Sequence, residues 1–421
     1  MYTKWFYRAA PVLWMVYGLA AASLPAKEPA RLADLLVEAR ARNPELIAAR
    51  AHWESVTKRP SQVGSLPDPR ISVRNFGVGH PFSALDTSNF AFVSLGFSQE
   101  IPFPGKLKLR ANIALEEARG EEQRYRQLEL DVLSQVKLNY YEYFYVVKAL
   151  QAVSENRNLL RKFEKIAEAR YSVGRGIQQD VLRAQLELTL LRDREEVLRR
   201  HRETAVAAIN TLLNRPPDEA LGPPDEIQQS SFPSQLTKLY QQARQHSPAL
   251  RAQEHRVSRA AAALNLSRKG YRPDFRFGFE WQHTGPMFRD YYVAAFEAKI
   301  PVYFWRKQRF AVEESASKLA EARHTHTAVA RNLQFQVKDD YLQARAADRL
   351  VYLYKTAIVP QATLALESAI SAYEVGSVDF LSLISAATVL LDYKLEYYKQ
   401  LAAYQQALAK MEPSLGTALI P

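Results

Sequence analysis

The chain has no cysteine among its 421 residues. Disulfides therefore cannot staple it, an acylated N-terminal cysteine is excluded, and any attachment to a membrane has to come from the fold. Long apolar runs are missing as well. Beyond the first residues, no segment offers the roughly 20 consecutive apolar positions that a membrane-crossing helix needs. Proline and glycine number 22 and 15, yet they desert two stretches: 106–170 contains no proline and only Gly120 as an internal glycine, and 302–359 contains neither. Also lacking are a paired acid–base group, a nucleophile motif and a ligand cluster in a supporting context, so the chain does not read as an enzyme and no cofactor is expected. His324 and His326 stand two apart in a polar helical stretch. Side chains at that spacing point different ways and no third ligand is at hand, so no metal site is expected.

Lys and Arg total 56 against 45 Asp and Glu, a formal net charge of +11. The two signs are interleaved within helical segments, which reads as solvated helix faces rather than as a nucleic-acid surface. Residues 1–26 read as an export signal. Lys4 and Arg8 supply the basic start, Pro11 to Ala22 a short apolar stretch, and Ala20-Ala21-Ala22 a small-residue cleavage region.

The two proline-poor stretches belong to a repeated programme. Residues 27–215 form a first unit, 216–235 an irregular connector, 236–412 a second unit, and 413–421 a C-terminal tail. In the first unit, 30–58 is helical with a break or restart at Asn43-Pro44 and an end at Pro60. Residues 70–98 then form a β hairpin: Ile71 and Val73 alternate with polar residues, and Ala91, Val93, Leu95 and Phe97 share one face. Its strands have the length of tilted membrane strands. A long helix pair fills 106–214, and Ala184, Leu191, Leu198, Ala205 and Leu212 recur every seven residues, the spacing of a helix-packing seam. The aromatic cluster Tyr140, Tyr141, Tyr143, Phe144 and Tyr145 reads as packing material.

The second unit repeats the order. Its first helix carries Ser247-Pro248 where the first unit has Asn43-Pro44. Its hairpin, 274–300, alternates Phe275, Phe277, Phe279 and Trp281. Its helix pair, 302–412, has Pro360 as a candidate kink, and Leu383, Leu390, Tyr397, Tyr404 and Met411 at seven-residue spacing. Pro44 and Pro248, Asp68 and Asp274, Ile101 and Ile300, Gly174 and Gly376 stand 204, 206, 199 and 202 residues apart. Landmarks of different kinds kept in one order imply a tandem duplication.

Two hairpins give four strands, too few to close a barrel, and a bilayer does not tolerate open edges. Several copies must then share one barrel. Three copies with twelve strands are the smallest cyclic solution with a channel. The expected fold class is therefore mainly α with membrane β hairpins: a trimeric twelve-stranded β-barrel continuous with a long periplasmic α-helical barrel, built on an internal tandem duplication.

The segments NPEL and SPAL, IPFPGK and IPVYFWRK, and YSVGRGIQQDVLRAQ and YEVGSVDFLSLISA resemble the TolC family of outer-membrane efflux proteins over the whole mature chain. The resemblance implies a homotrimer in the outer membrane of a Gram-negative bacterium, seated in outer-membrane lipid with its helical tunnel in the periplasm. It implies docking to a periplasmic adaptor protein and an inner-membrane pump, and a passive duct for metal ions or small toxic compounds. Among subclasses the chain looks nearest to cobalt-zinc-cadmium or copper efflux components, many of which begin with the lipidated cysteine that is missing here. The competing reading is a periplasmic coiled-coil scaffold whose hairpins are covered by protein.

The candidate functional residues lie at the two sharp turns between long helices. Asp180 and Asp379 either cap the returning helices or, as the resemblance implies, line the constricted tunnel end as a cation-attracting gate. Gly174, Gly176 and Gly376 are expected to permit the turn geometry. By resemblance, Val173, Gly174, Arg175 and Gly176, with Val375, Gly376 and Ser377, form adaptor contacts, and Arg175 against Ser377 distinguishes the two sites.

Overall fold

The computed structural model describes residues 29–77, 79–81, 90–232 and 235–419. The expected export signal and most of the first hairpin tip lie outside them. The described chain holds ten α-helices and one antiparallel sheet of four strands, in the order helices, hairpin, helix pair, then the same again.

Where the sequence suggests one interrupted helix, the structure has two. α1 (Leu32–Arg42) ends at Asn43, whose side-chain oxygen accepts from the amides of Glu45 and Leu46 and so starts α2 (Pro44–Val56). Pro60 does not end helical structure as expected. It occupies the first turn of a short α3 (Arg59–Gly64), where its missing amide costs nothing.

The hairpins follow the alternation. β1 (Arg70–Phe76) pairs with β2 (Phe92–Ile101), β2 with β3 (Asp274–His283), and β3 with β4 (Tyr291–Lys299). The two hairpins thus join into one sheet through β2 and β3, leaving β1 and β4 as its edges. Register aligns like with like. Ile71 faces Phe97 and Val73 faces Leu95, while Leu95 faces Trp281, Phe97 faces Phe279, and Phe277 faces Phe296. These side chains form one apolar face, and all are exposed, Leu95 at 53% and Phe97 at 49%. The opposite face is polar: Ser72, Arg74, Ser94, Ser98, Arg276, Glu280 and Gln282, with ion pairs from Arg74 to Glu280 and from Arg276 to Glu297.

α4 (Lys106–Ser172) runs unbroken for 67 residues, about 100 Å at 1.5 Å per residue. A helix of that length is stabilised by neighbours rather than by propensity. It packs along α5 (Gln178–Leu212), α10 (Phe380–Leu415) and α7 (Pro248–Lys269). α6 (Leu236–His246) precedes α7 across Ser247. The heptad positions Ala184, Leu191, Leu198 and Ala205 of α5, and Leu383, Leu390, Tyr404 and Met411 of α10, are buried. In the second unit the outgoing helix is divided. α8 (Lys307–Leu353) passes through a π-helical turn, Tyr354–Ile358, into α9 (Val359–Glu374). Pro360 lies in the first turn of α9, so the irregularity falls just before it, where its ring would displace the i−4 carbonyl. No helix among the described residues is long and apolar enough to cross a membrane.

The connector is irregular but tied down. Tyr140 donates to the carbonyl of Ala30 at 2.9 Å and accepts from the Asp225 amide, Tyr143 donates to the Gly222 carbonyl, and Tyr404 donates to the Ser230 carbonyl at 2.7 Å. The tyrosine cluster is thus packing material, and the hydroxyls of Tyr140 and Tyr143 tie its surface to the connector. The tail expected from residue 413 starts later. Pro413 lies inside α10, which runs to Leu415 and ends at Gly416 with φ 73°. Beneath it, Lys137 and Glu412 form a buried ion pair at 2.8 Å, with side chains 3% and 4% exposed.

Candidate functional site

The two helix turns stand together at the end of the molecule remote from the sheet. Each follows the same local rule. In the first, the amide of Gly174 donates to the Tyr171 carbonyl at 3.0 Å and that of Arg175 to the Arg170 carbonyl at 2.9 Å. In the second, Gly376 donates to Tyr373 at 3.1 Å and Ser377 to Ala372 at 2.9 Å. These bonds satisfy terminal helix carbonyls, and they require the left-handed conformation seen at Gly174 (φ 71°) and Gly376 (φ 77°). Gly176 serves differently. Its φ is ordinary, but a Cβ there would stand 3.1 Å from the Arg170 Cβ and 3.2 Å from the Tyr171 nitrogen.

Counting from the two left-handed glycines changes one expected equivalence. Asp379 lies three residues after Gly376 and is the N-cap of α10: its carboxylate accepts from the Ser382 amide at 2.9 Å. The residue three after Gly174 is Ile177, which starts α5 with no side-chain cap. Asp180 is therefore not a cap but a first-turn residue, and its structural counterpart is Ser382. Its charge meets the positive end of the helix dipole, but burial and the charge of Asp379 outweigh that attraction.

The two carboxylates sense one another. Burial, and next the charge of Asp379, push the Asp180 carboxyl above its ordinary range, with Arg170 opposing. Asp379 moves the other way, held low by its hydrogen bonds with Ser382. One site thus contains an acid that protonates early and one that stays ionised.

The residues that join the turns were not singled out in the sequence. Arg170, in the last turn of α4, donates to the carbonyl oxygens of Tyr373 at 2.9 Å and Glu374 at 3.3 Å. Its guanidinium lies 4.1 Å from the Tyr373 ring centroid. Tyr373 packs on Phe380 and is 5% exposed, whereas Tyr171, its counterpart, is 49% exposed. The signal available was the unequal position before each repeated tyrosine, Arg170 in one copy and Ala372 in the other. Val173, Arg175, Val375 and Ser377 all face outward, so the turn tips offer an exposed surface. Among the described residues no group of three or more His, Asp or Glu is placed to hold a metal ion.

Comparisons agree with this architecture. A family model described as outer membrane efflux protein matches residues 35–215 and 239–417, one segment in each half of the chain. No curated protein matches the chain in sequence. The solved outer membrane protein VceC of Vibrio cholerae superposes with a TM-score of 0.78 at 16% identity, over 92% of this chain and 97% of that one. The open-state MtrE outer membrane channel of Neisseria gonorrhoeae gives 0.78 at 18% identity, over 92% and 89%. The outer-membrane channel OprN gives 0.79 at 16% identity, over 92% and 90%.

Proposed function

The chain belongs to the outer membrane efflux protein family, and from that membership we propose that three copies form a passive export duct carrying metal ions or small toxic compounds away from a periplasmic adaptor and an inner-membrane pump. The family makes it an outer-membrane transport protein with a periplasmic helical region, not an enzyme.

The observation that carries the trimer is the sheet. It has one apolar face, one polar face and two open edges, β1 and β4. In a bilayer the apolar face suits lipid, the polar face suits a water-filled lumen, and the edges have to be paired by further copies. The same exposure speaks against the scaffold reading, which needs the hairpins to be covered by protein. The helices, about 100 Å long, then carry the duct toward the adaptor and place Asp180, Asp379 and Arg170 at its far end. There the two carboxylates give each copy a cation-attracting group on the narrowing tunnel, and the exposed turn tips form the adaptor contacts.

The test is conductance of detergent-extracted protein in a planar bilayer, alongside its mass in detergent. A trimer with discrete cation-favouring conductance is expected; a soluble monomer without membrane association refutes the duct. Cargo is tested by deleting the gene and measuring retention of divalent metals and of small dyes. Unchanged retention of metals with increased retention of dyes would assign the duct to organic compounds.

A further inference from the structure

Where the two repeats meet inside one chain, a charged latch closes the base of the sheet. Lys106, the first residue of α4, extends its ammonium to the Asp274 carboxylate at 2.8 Å and to the Arg272 carbonyl at 3.0 Å. The same carboxylate oxygen accepts from the Phe103 amide at 2.8 Å. The Lys106 side chain is 8% exposed, so the contact is built in, not a surface accident. It joins the end of the first hairpin to the start of the second, beside the β2–β3 pairing.

Each partner has a counterpart in the other repeat. Pro67-Asp68-Pro69-Arg70 stands before β1 as Pro273-Asp274-Phe275-Arg276 does at β3, and Lys307 is the first residue of α8 as Lys106 is of α4. Within one chain these counterparts lie at opposite edges of the sheet. Asp68 and Lys307 are both exposed, and neither side chain has an ionic partner among the described residues. The second copy of this chain that pairs β1 with β4 would bring them together. We propose that Lys307 of one copy and Asp68 of the next form the intersubunit form of the Lys106–Asp274 latch, one at each seam of the barrel. This rests on the trimer proposed above and gives that trimer its register.

The register follows from the same transfer. Gln99 opposite Phe277 becomes Ala298 opposite Ile71 of the next copy, and Phe97 opposite Phe279 becomes Phe296 opposite Val73. This is independently sensible. Phe296 and Ala298 lie on the apolar face through their pairing with Phe277 and Phe275, and Ile71 and Val73 lie on it through Phe97 and Leu95. A slip of one residue would set Ile71 against Glu297 and turn the strand inside out.

The full-length protein in detergent permits a direct test. Carbodiimide couples an ammonium to a carboxylate it touches, so it should join Lys307 to Asp68 in an intersubunit isopeptide bond, seen as dimer and trimer bands and as one cross-linked peptide. Lys307→Gln and Asp68→Asn should each abolish that peptide. Lys307→Asp or Asp68→Lys alone should lower the temperature at which detergent separates the copies, and the two together should restore most of the loss. Because the native chain has no cysteine, Ile71→Cys with Ala298→Cys reports the seam by itself through an intersubunit disulfide. A seam disulfide without the isopeptide peptide and without rescue by charge exchange overturns the latch and leaves the trimer standing. A monomer that forms neither bond overturns both.

Discussion

Arg170 and Tyr373, 203 residues apart in sequence, are bound at 2.9 Å through guanidinium and carbonyl, with the guanidinium also lying over the tyrosine ring. The contact makes the two turns of one chain a single unit, because it reaches from the end of one helix pair to the end of the other. A charged hydrogen bond to a carbonyl contributes about 1.5–3 kcal/mol when well shielded, and Arg170 is only half-buried, so about 1 kcal/mol is the fair magnitude here.

Arg170→Ala is accordingly expected to part the turns about fivefold more often, with Arg170→Lys intermediate because it keeps charge but loses the planar fork. Spin labels on cysteines introduced at positions 175 and 377 would read the separation directly. An unchanged distance distribution in the alanine variant would remove Arg170 from this role.

The paired carboxylates set a pH dependence whose sign can be worked out. Asp180 is raised, by burial first and by Asp379 second. The stability it lends is therefore full below the ordinary value of 3.8 and is lost as pH rises through its folded value. Asp379 is lowered by Ser382, so its contribution is present above the ordinary value and is lost as pH falls through the lowered one. Asp180→Asn should melt higher than the native protein at neutral pH, with the gap narrowing on acidification. A gap that widens as pH falls would contradict the assignment.

Gly376 has φ 77° and no atom within 4 Å of where a Cβ would sit. A side chain there meets no obstacle, so any cost is conformational. Gly376→Val should destabilise the turn by at least ~1–2 kcal/mol and weaken adaptor capture, while Gly376→Asn, which tolerates the left-handed region, should cost much less. Equal effects of valine and asparagine on thermal unfolding would point to contact rather than backbone.

The buried pair Lys137 and Glu412 anchors the end of α10 against α4, and Glu412 also accepts from the Leu419 amide at 2.9 Å. Removing one partner strands a charge, so Lys137→Met should cost about 3–5 kcal/mol in denaturant unfolding. Adding Glu412→Gln neutralises the stranded charge and keeps an acceptor for Leu419, and most of the loss should return. If the double variant is no more stable than the single, the pair is not the source of the cost.

Much of this architecture was legible because its signals are of long range in sequence. The bare stretch from 106 to 170 became α4, and the alternation of Phe275, Phe277, Phe279 and Trp281 became a strand with an exposed apolar face. Local punctuation misled more often. Pro60 was expected to end a helix and the tail to begin at Pro413, yet Pro60 sits in a first turn, where no amide is needed, and Pro413 lies inside α10, where the Ala409 carbonyl it leaves without a helical donor accepts from the Ser134 hydroxyl at 2.9 Å. At the turns, equating Asp180 with Asp379 followed their shared place after a glycine, but spacing from the left-handed residue decides which one caps. Arg170 was unreadable alone because its partner carbonyl, that of Tyr373, is set by the packing of α4 against the second turn.

The two unpaired edges of the sheet carry a genetic consequence. In the trimer proposed above each barrel is shared among three chains, so an allele damaged at β1 or β4 is not silent beside an intact one. With three copies drawn at random from equal pools, about one barrel in eight would be built wholly from intact chains. Edge alleles should therefore be dominant over the native gene, while alleles that merely abolish synthesis should be recessive.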